Sequence, residues 1–211
     1  YESLLELAKQ REKELEVLGI QFEIARALDR HVELRGALAP VLDILETRAG
    51  LARGMVTLLD RAAGVLKIEE AHGFCTEEKG RGRYRLGEGL VGRVFESGEP
   101  LIVPNLAEEP RFLNRAGVRP VEELRGVAYY CIPIRSSGAV MGTLSAERRL
   151  PHEEMNSSSV LDADRYILER TAILIAESAK LRERILEEQL RIGSESSKDN
   201  NSRSVNNCLF Q

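Results

Sequence analysis

Leu86-Gly87-Glu88-Gly89-Leu90-Val91-Gly92-Arg93-Val94, followed three residues later by Gly98-Glu99-Pro100-Leu101-Ile102-Val103-Pro104-Asn105, occupies the middle of the chain. Gly87, Gly89 and Gly92 spell G-x-G-x-x-G, and Val94 extends it to G-x-G-x-x-G-x-V. Alone, such a match is weak. A dinucleotide site needs an acid about 20 residues on, at the end of a second strand, whereas the strand here ends Pro104-Asn105. A kinase needs a strand Lys, an H-R-D loop and a D-F-G, and a Walker site needs G-x-x-x-x-G-K-[ST]; the sequence has none of these. The remaining reading is structural. Gly87 and Gly89 let the backbone turn tightly into a helix, Leu90 to Ser97, that Gly98 closes. Leu101-Ile102-Val103 is then a short buried strand between two prolines.

Strand-like runs surround this centre. Gly54 to Leu59 and Val65 to Glu69 flank Asp60-Arg61-Ala62-Ala63-Gly64, and Val127 to Ile134 and Ala139 to Ala146 flank Ser136-Ser137-Gly138. Both are hairpin signals, with Gly available for a positive φ. Pro104 to Arg125 reads as a loop. Leu34, Leu38, Val41, Leu42 and Leu45 mark an amphipathic helix in which Pro40 is expected at a kink or close to the start. Five strands with helices before, between and after predict an α+β sheet domain.

The two ends read as helices. Leu4, Ala8, Arg11, Leu15, Leu18, Phe22 and Ala25 follow steps of four and three, a coiled-coil seam spoiled only at Arg11. From Val160 to Arg191, Ile167, Thr171, Leu174, Ser178, Leu181, Ile185 and Ile192 keep similar spacing, beside a second stripe of Leu168, Ala172, Ile175, Ala179 and Leu186. Two adjacent stripes let one helix pack on its own domain and on a partner. A homodimer stalk is therefore expected. The division is 1–28 N-terminal dimerisation helix, 29–160 sheet-domain core, 161–192 C-terminal helix for domain packing and dimerisation, and 193–211 a Ser/Asn/Lys-rich tail expected to be disordered.

The 211 residues carry a net charge of −4. That balance excludes nucleic-acid binding by bulk positive charge, so no direct DNA contact is expected. No apolar run approaches the roughly 20 residues of a membrane span. Three distant Cys and no secretion signal predict a cytoplasmic protein. Three scattered His and three scattered Cys give no zinc spacing, and neither a Ser/His/Asp set nor a carboxylate pair is visible, so no catalytic residue, metal or cofactor is expected. Cys131, in Tyr129-Tyr130-Cys131-Ile132, reads as an inert buried thiol.

Arg is the one functional residue type that gathers. Arg81, Arg83 and Arg85 alternate around Gly82 and Tyr84, and Arg111, Arg115, Arg119 and Arg125 punctuate the long loop. A planar guanidinium fork matches carboxylate or phosphate, which suits a small anion. The competing reading is that these Arg offset Glu77, Glu78, Glu108, Glu109, Glu122 and Glu123 on the surface.

The central stretch quoted above, with Cys131-Ile132-Pro133-Ile134 and Val140-Met141-Gly142-Thr143-Leu144, resembles a GAF domain, a small-molecule sensor module. Arg53 to Asp60, Ala71-His72-Gly73, Arg81 to Arg85 and Glu109 to Leu113 narrow the resemblance to the N-terminal GAF domain of Nif-type activators of sigma-54 RNA polymerase. It covers about Leu18 to Ala179. The resemblance implies a GAF fold with a central antiparallel sheet of five to six strands. It also implies a regulatory module that controls a following AAA+ ATPase acting on sigma-54 RNA polymerase, with 2-oxoglutarate or a PII-type signalling protein as effector. Neither ATPase nor DNA-binding segment lies in these residues, so the chain is expected to be the front of a longer protein. The GAF topology puts a cleft between sheet and covering loops. There the expected ligand contacts are Arg83, Arg85, Arg111 and Arg119 for an anionic end, with Phe112 and Tyr129 as walls. Occupancy under the 104–125 loop is expected to bias the tilt of the 160–191 helix. Gly36 and Pro40 depart from the family by weakening a helix that is usually uninterrupted. Two alternatives stay open: a ligand-free structural dimerisation module, and a GAF-fold methionine sulfoxide reductase using Cys75 and Cys131.

Overall fold

The computed structural model describes residues 2–74, 82–113, 119–151, 154 and 157–207, with backbone only for 2, 3 and 193–207. Helices α1 (Glu2–Asp29) and α2 (Leu34–Ala49) lead into strands β1 (Ala52–Asp60), β2 (Val65–Ala71) and β3 (Arg83–Tyr84). Helix α3 (Gly89–Ser97) and strand β4 (Leu101–Val103) follow, then a 3₁₀ turn (Leu106–Glu108) and the one-turn helix α4 (Val121–Leu124). Strands β5 (Val127–Ser136) and β6 (Ala139–Arg149) and the long helix α5 (Ser158–Asn207) complete the order.

Among the described residues six strands form one antiparallel sheet, in the order β3-β2-β1-β6-β5-β4. The two expected hairpins close as the sequence predicts. Gly64 takes φ +65° at the first, and Ser137 and Gly138 take φ +52° and +84° at the second. Two successive left-handed residues match the strand twist of a tight hairpin. The sixth strand, Arg83–Tyr84, pairs only with Leu66 and Lys67; two residues are too short for any periodicity to announce.

Side-chain alternation along the central strands divides the interior in two. On one face Ala128, Tyr130, Ile132 and Ile134 of β5 and Leu144 and Ala146 of β6 meet Ile20, Ile24, Leu28, Leu38, Leu42 and Leu45 of α1 and α2 and Leu168 and Ile175 of α5. On the other, Val127, Tyr129 and Cys131 of β5 meet Met55, Leu66, Tyr84, Leu90, Val91, Val94, Leu106 and Leu124. Strand β5 is thus covered on both sides, which is why it reads as a continuous apolar run. A fully buried Leu such as Leu42 contributes about 2–5 kcal/mol relative to Ala at such sites.

The glycine-rich stretch has a steric explanation. Gly87 and Gly89 lie at φ +72° and +62°, and the Gly87 N–H donates to the Gly92 carbonyl at 3.1 Å. A Cβ on Gly92 would stand 2.3 Å from the Arg85 carbonyl oxygen, so only glycine lets the turn fold against α3.

Two expectations change. The 104–125 stretch is not wholly a loop, since it holds the 3₁₀ turn and α4. Helix α2 runs unbroken through Gly36 and Pro40; Pro40 lies in the second turn and forfeits a single ladder bond. Helix α5 is described in its backbone through Asn207.

The terminal seams divide unequally. Leu4, Leu15, Leu18 and Phe22 of α1 are exposed, while Ile20, Ile24, Ala27 and Leu28 bury the opposite side. In α5, Ile167 and Thr171 of the expected seam are buried within the domain, whereas Leu181, Ile185 and Ile192 are exposed. No helix among the described residues is long and apolar enough to cross a membrane.

Candidate functional site

The second face of the sheet, the cleft face by the GAF resemblance, is covered by α3, the 3₁₀ turn and α4. Its polar centre is Glu147 on β6, a carboxylate at an inward-facing strand position and only 6% exposed. Arg119, which precedes Pro120 and α4, grips it with both arms of the fork. Nη1 donates to Oε2 at 2.8 Å and Nη2 to Oε1 at 2.6 Å. Arg53 approaches from β1, its Nε 3.9 Å from Glu147 Oε1. Its Nη1 donates to the Gly73 carbonyl at 2.7 Å, and its guanidinium lies 4.0 Å from the Phe74 ring centroid. Arg53 holds φ +47°, a left-handed conformation that costs a non-glycine residue of order 1 kcal/mol or more. It sits where the β1–β6 register slips between Ala52 and Met55.

Tyr129 is the cross-strand partner of Glu147. Its ring meets Phe112 at 5.8 Å between centroids and 56° between planes, a tilted aromatic pair. Burial holds the Tyr129 phenol well above its usual range, although its hydrogen bond to Ser145 opposes this. Next along the same face, burial pushes the Cys131 thiol up to about 12. Thr57 and Thr143 hydroxyls are 2.8 Å apart on β1 and β6.

The expected contacts therefore separate. Arg119, Phe112 and Tyr129 gather around Glu147. Arg111 is turned to its own neighbour: Nε and Nη2 donate to Glu109 at 2.7 and 2.9 Å, and this pairing holds the Glu109 carboxyl below its usual range. Arg83 and Arg85 are exposed at the edge strand and just after it, with β2 and β1 between them and β6. The four Arg do not converge on one point, and two of them already face carboxylates of the chain. Arg81, Arg115 and Cys75 lie outside the described residues.

Sequence reasoning missed Arg53, Glu147 and everything on the opposite face. There Asp164, in the second turn of α5 and 2% exposed, accepts from Tyr130 Oη at 2.8 Å. It also accepts from Arg148 Nε at 2.5 Å and Nη2 at 2.7 Å. Arg148 additionally donates to the Ala49 carbonyl at the end of α2. Farther along α5, Arg182 donates to the carbonyls of Leu28, His31 and Val32 at 2.5, 2.6 and 2.9 Å, tying that helix to the α1–α2 turn. The available signal was a charged run, Glu147-Arg148-Arg149, ending a strand without other charges.

A six-stranded antiparallel sheet with terminal helices on one face and a glycine-entered helix on the other defines an α+β sheet domain. A family model for the GAF domain matches residues 33–178, and the chain belongs to that family. Within it, the chain is similar to nitrogen-fixation regulators. Nitrogen fixation protein VnfA of Azotobacter vinelandii is 37% identical over 141 residues, 66% of this chain and 27% of that protein. The Nif-specific regulatory protein of Azospirillum brasilense is 32% identical over 181 residues, 86% of this chain and 28% of that protein. The chain thus spans about a quarter of the length of these curated relatives. Among solved structures, the nlh2 GAF domain of A. Aeolicus in an inactive state superposes with a TM-score of 0.67 at 23% identity, covering 81% of this chain and 99% of that one. Free methionine-R-sulfoxide reductase of Neisseria meningitidis, in complex with its substrate, superposes at 0.64 and 16% identity, covering 80% and 91%. At these identities both likenesses concern the fold.

Proposed function

We propose that this chain is the regulatory GAF module of a nitrogen-fixation-type, sigma-54-dependent transcriptional activator, and that the state of its cleft face controls a following AAA+ ATPase through α5. The observation that carries the reading is similarity to Nif-specific regulators combined with a long helix that is anchored in the core at Asp164, tied to the α1–α2 turn by Arg182, and largely exposed from Leu181 to Ile192. A helix rooted in the domain and free at its far end can pass a bias in tilt or register to whatever follows it.

The input is a small anionic metabolite, 2-oxoglutarate being the first candidate, or a PII-type signalling protein. Arg119, with Phe112 and Tyr129 beside it, is the best-placed anion contact, because its fork already holds a carboxylate in bidentate geometry. The module acts as a homodimer. The exposed Leu18 and Phe22 of α1 and Ile173 of α5, with Gln21, Arg170 and Leu174, line an apolar groove of about 280 Å³ between the terminal helices. It is not an enzyme. Cys131, buried with its thiol pushed up to about 12, supplies no thiolate for a reductase.

A ligand-free structural module is the second reading. Tyr84 and Tyr129 fill the cleft-face core, and Arg111 and Arg119 are paired with Glu109 and Glu147. Isothermal titration with 2-oxoglutarate and a purified PII-type protein separates the two. Saturable heat with either, reduced in Arg119→Gln, supports sensing; no heat with both supports the structural module.

A further inference from the structure

Two neighbouring strands carry the same arrangement. On β5, Tyr129 faces the cleft and the next residue, Tyr130, faces the helices and donates to Asp164 of α5 at 2.8 Å. On β6, Glu147 faces the cleft in the fork of Arg119, and the next residue, Arg148, reaches Asp164 with two hydrogen bonds at 2.5 and 2.7 Å. Tyr129 and Glu147 are directly opposed in the ladder. One charged cluster on the cleft side and one on the helix side are therefore joined by two single peptide bonds across one sheet. Successive residues of a strand point to opposite faces, so a rotation of the β6 backbone that re-aims Glu147 also re-aims Arg148.

Glu147 also has two places to go. Its carboxylate is held by Arg119, and Oε1 already lies 3.9 Å from Arg53 Nε. An anion that takes the Arg119 fork leaves Glu147 to Arg53, a discrete exchange between two guanidinium partners. The backbone beside that exchange is irregular: β1 and β6 slip register between Ala52 and Met55, with Arg53 in the left-handed region between them. Arg148 moreover donates to the Ala49 carbonyl, three residues before Ala52, so the end of α2 sits in the same network.

Resting on the sensor reading above, we propose that Glu147 is an internal occupant of the anion site and that the dipeptides Glu147-Arg148 and Tyr129-Tyr130 form a through-sheet relay, in which release of Glu147 from Arg119 loosens the seat of α5 at Asp164. Glu147, Arg148 and Tyr130 are positioning residues in this scheme. Arg119 is the contact for the carboxylate or phosphate group of the incoming anion. The relay supplies what allosteric coupling requires, an element with two arrangements that both ends can bias.

The test is amide hydrogen exchange on the whole chain, read over residues 158–170 of α5. Glu147→Gln removes the charge that holds Arg119 while keeping the side chain's size. The relay predicts exchange in that segment about fivefold or more faster than in the parent. It predicts the same from Arg148→Met, and no further gain when the two changes are combined. Faster exchange confined to the cleft segments 105–113 and 119–126, with α5 unchanged, overturns the relay. So does a Glu147→Gln effect that adds in full to that of Arg148→Met. If Glu147→Gln does not fold, Arg119→Gln must loosen α5 equally, and failure to do so is equally fatal. Titration of the parent chain with 2-oxoglutarate is read separately. Heat without a Glu147→Gln effect on α5 leaves sensing intact and removes the relay. A Glu147→Gln effect without heat leaves the relay and removes 2-oxoglutarate as its trigger.

Discussion

Asp164→Ala is the perturbation most directly costed by the structure. Asp164 is 2% exposed and accepts three hydrogen bonds, one from Tyr130 and two from Arg148. Truncation leaves the Arg148 guanidinium, whose side chain is 23% exposed, without its carboxylate, and Tyr130 without an acceptor. Breaking one partner of a buried pair costs about 3–5 kcal/mol. The partial exposure of Arg148 lets water replace some of that, which places the expectation near the lower end, about 3 kcal/mol. Against a total stability of about 5–15 kcal/mol this is a large fraction, and at about 2–4 °C per kcal/mol it lowers Tm by about 6–12 °C. Urea unfolding followed by circular dichroism measures it. The double variant Arg148→Met, Asp164→Ala removes the stranded charge with its partner, so its loss is smaller than the sum of the two single losses by at least about 1 kcal/mol. A single-variant loss below about 1 kcal/mol, or strictly additive losses, would show that Asp164 does not seat α5.

Leu181 and Ile185 are 57% and 50% exposed. Burying the remainder of each in a dimer contributes ~1 kcal/mol per side chain and ~4 kcal/mol over two copies. Leu181→Glu with Ile185→Glu is therefore expected to weaken dimerisation by about a thousandfold, and sedimentation showing an unchanged mass, or a parent chain that is already monomeric, refutes the stalk. Cys131 is expected to resist iodoacetamide at pH 8 in the folded chain and to react once urea unfolds it, because burial holds its thiol at about 12. Peptide mapping that finds Cys131 labelled under native conditions contradicts that burial.

Much of the fold was legible because its signals are local. Gly64 and Ser137-Gly138 mark the hairpins, and Gly98 closes α3 in the left-handed region with φ +70°. The β5 run announces a strand. Strand β3 was not legible, since two residues opposite Leu66 and Lys67 are chosen by the edge they meet and not by their own pattern. The candidate site was legible in part. The Arg-rich loop pointed to Arg119 and the GAF resemblance to Phe112 and Tyr129, and the structure places these three near one another. Nothing in the spacing revealed that Glu147, 28 residues away, fills the Arg119 fork, or that Arg83 and Arg85 lie toward the opposite edge of the sheet. A carboxylate inside a strand reads as an interruption until its partner is known. The Asp164 network is invisible for the same reason: its members lie 16 and 34 residues apart and meet only through the packing of α5 on the sheet.

The central claim is that this module controls an ATPase through α5. ATP hydrolysis by a Nif-type ATPase carrying the chain at its N-terminus, compared with the same ATPase alone, tests it whatever the effector is. Coupling of the usual size predicts rates that differ by about fivefold or more, with the difference diminished by Arg148→Met. Equal rates with and without the chain, in the parent and in that variant, would contradict the account.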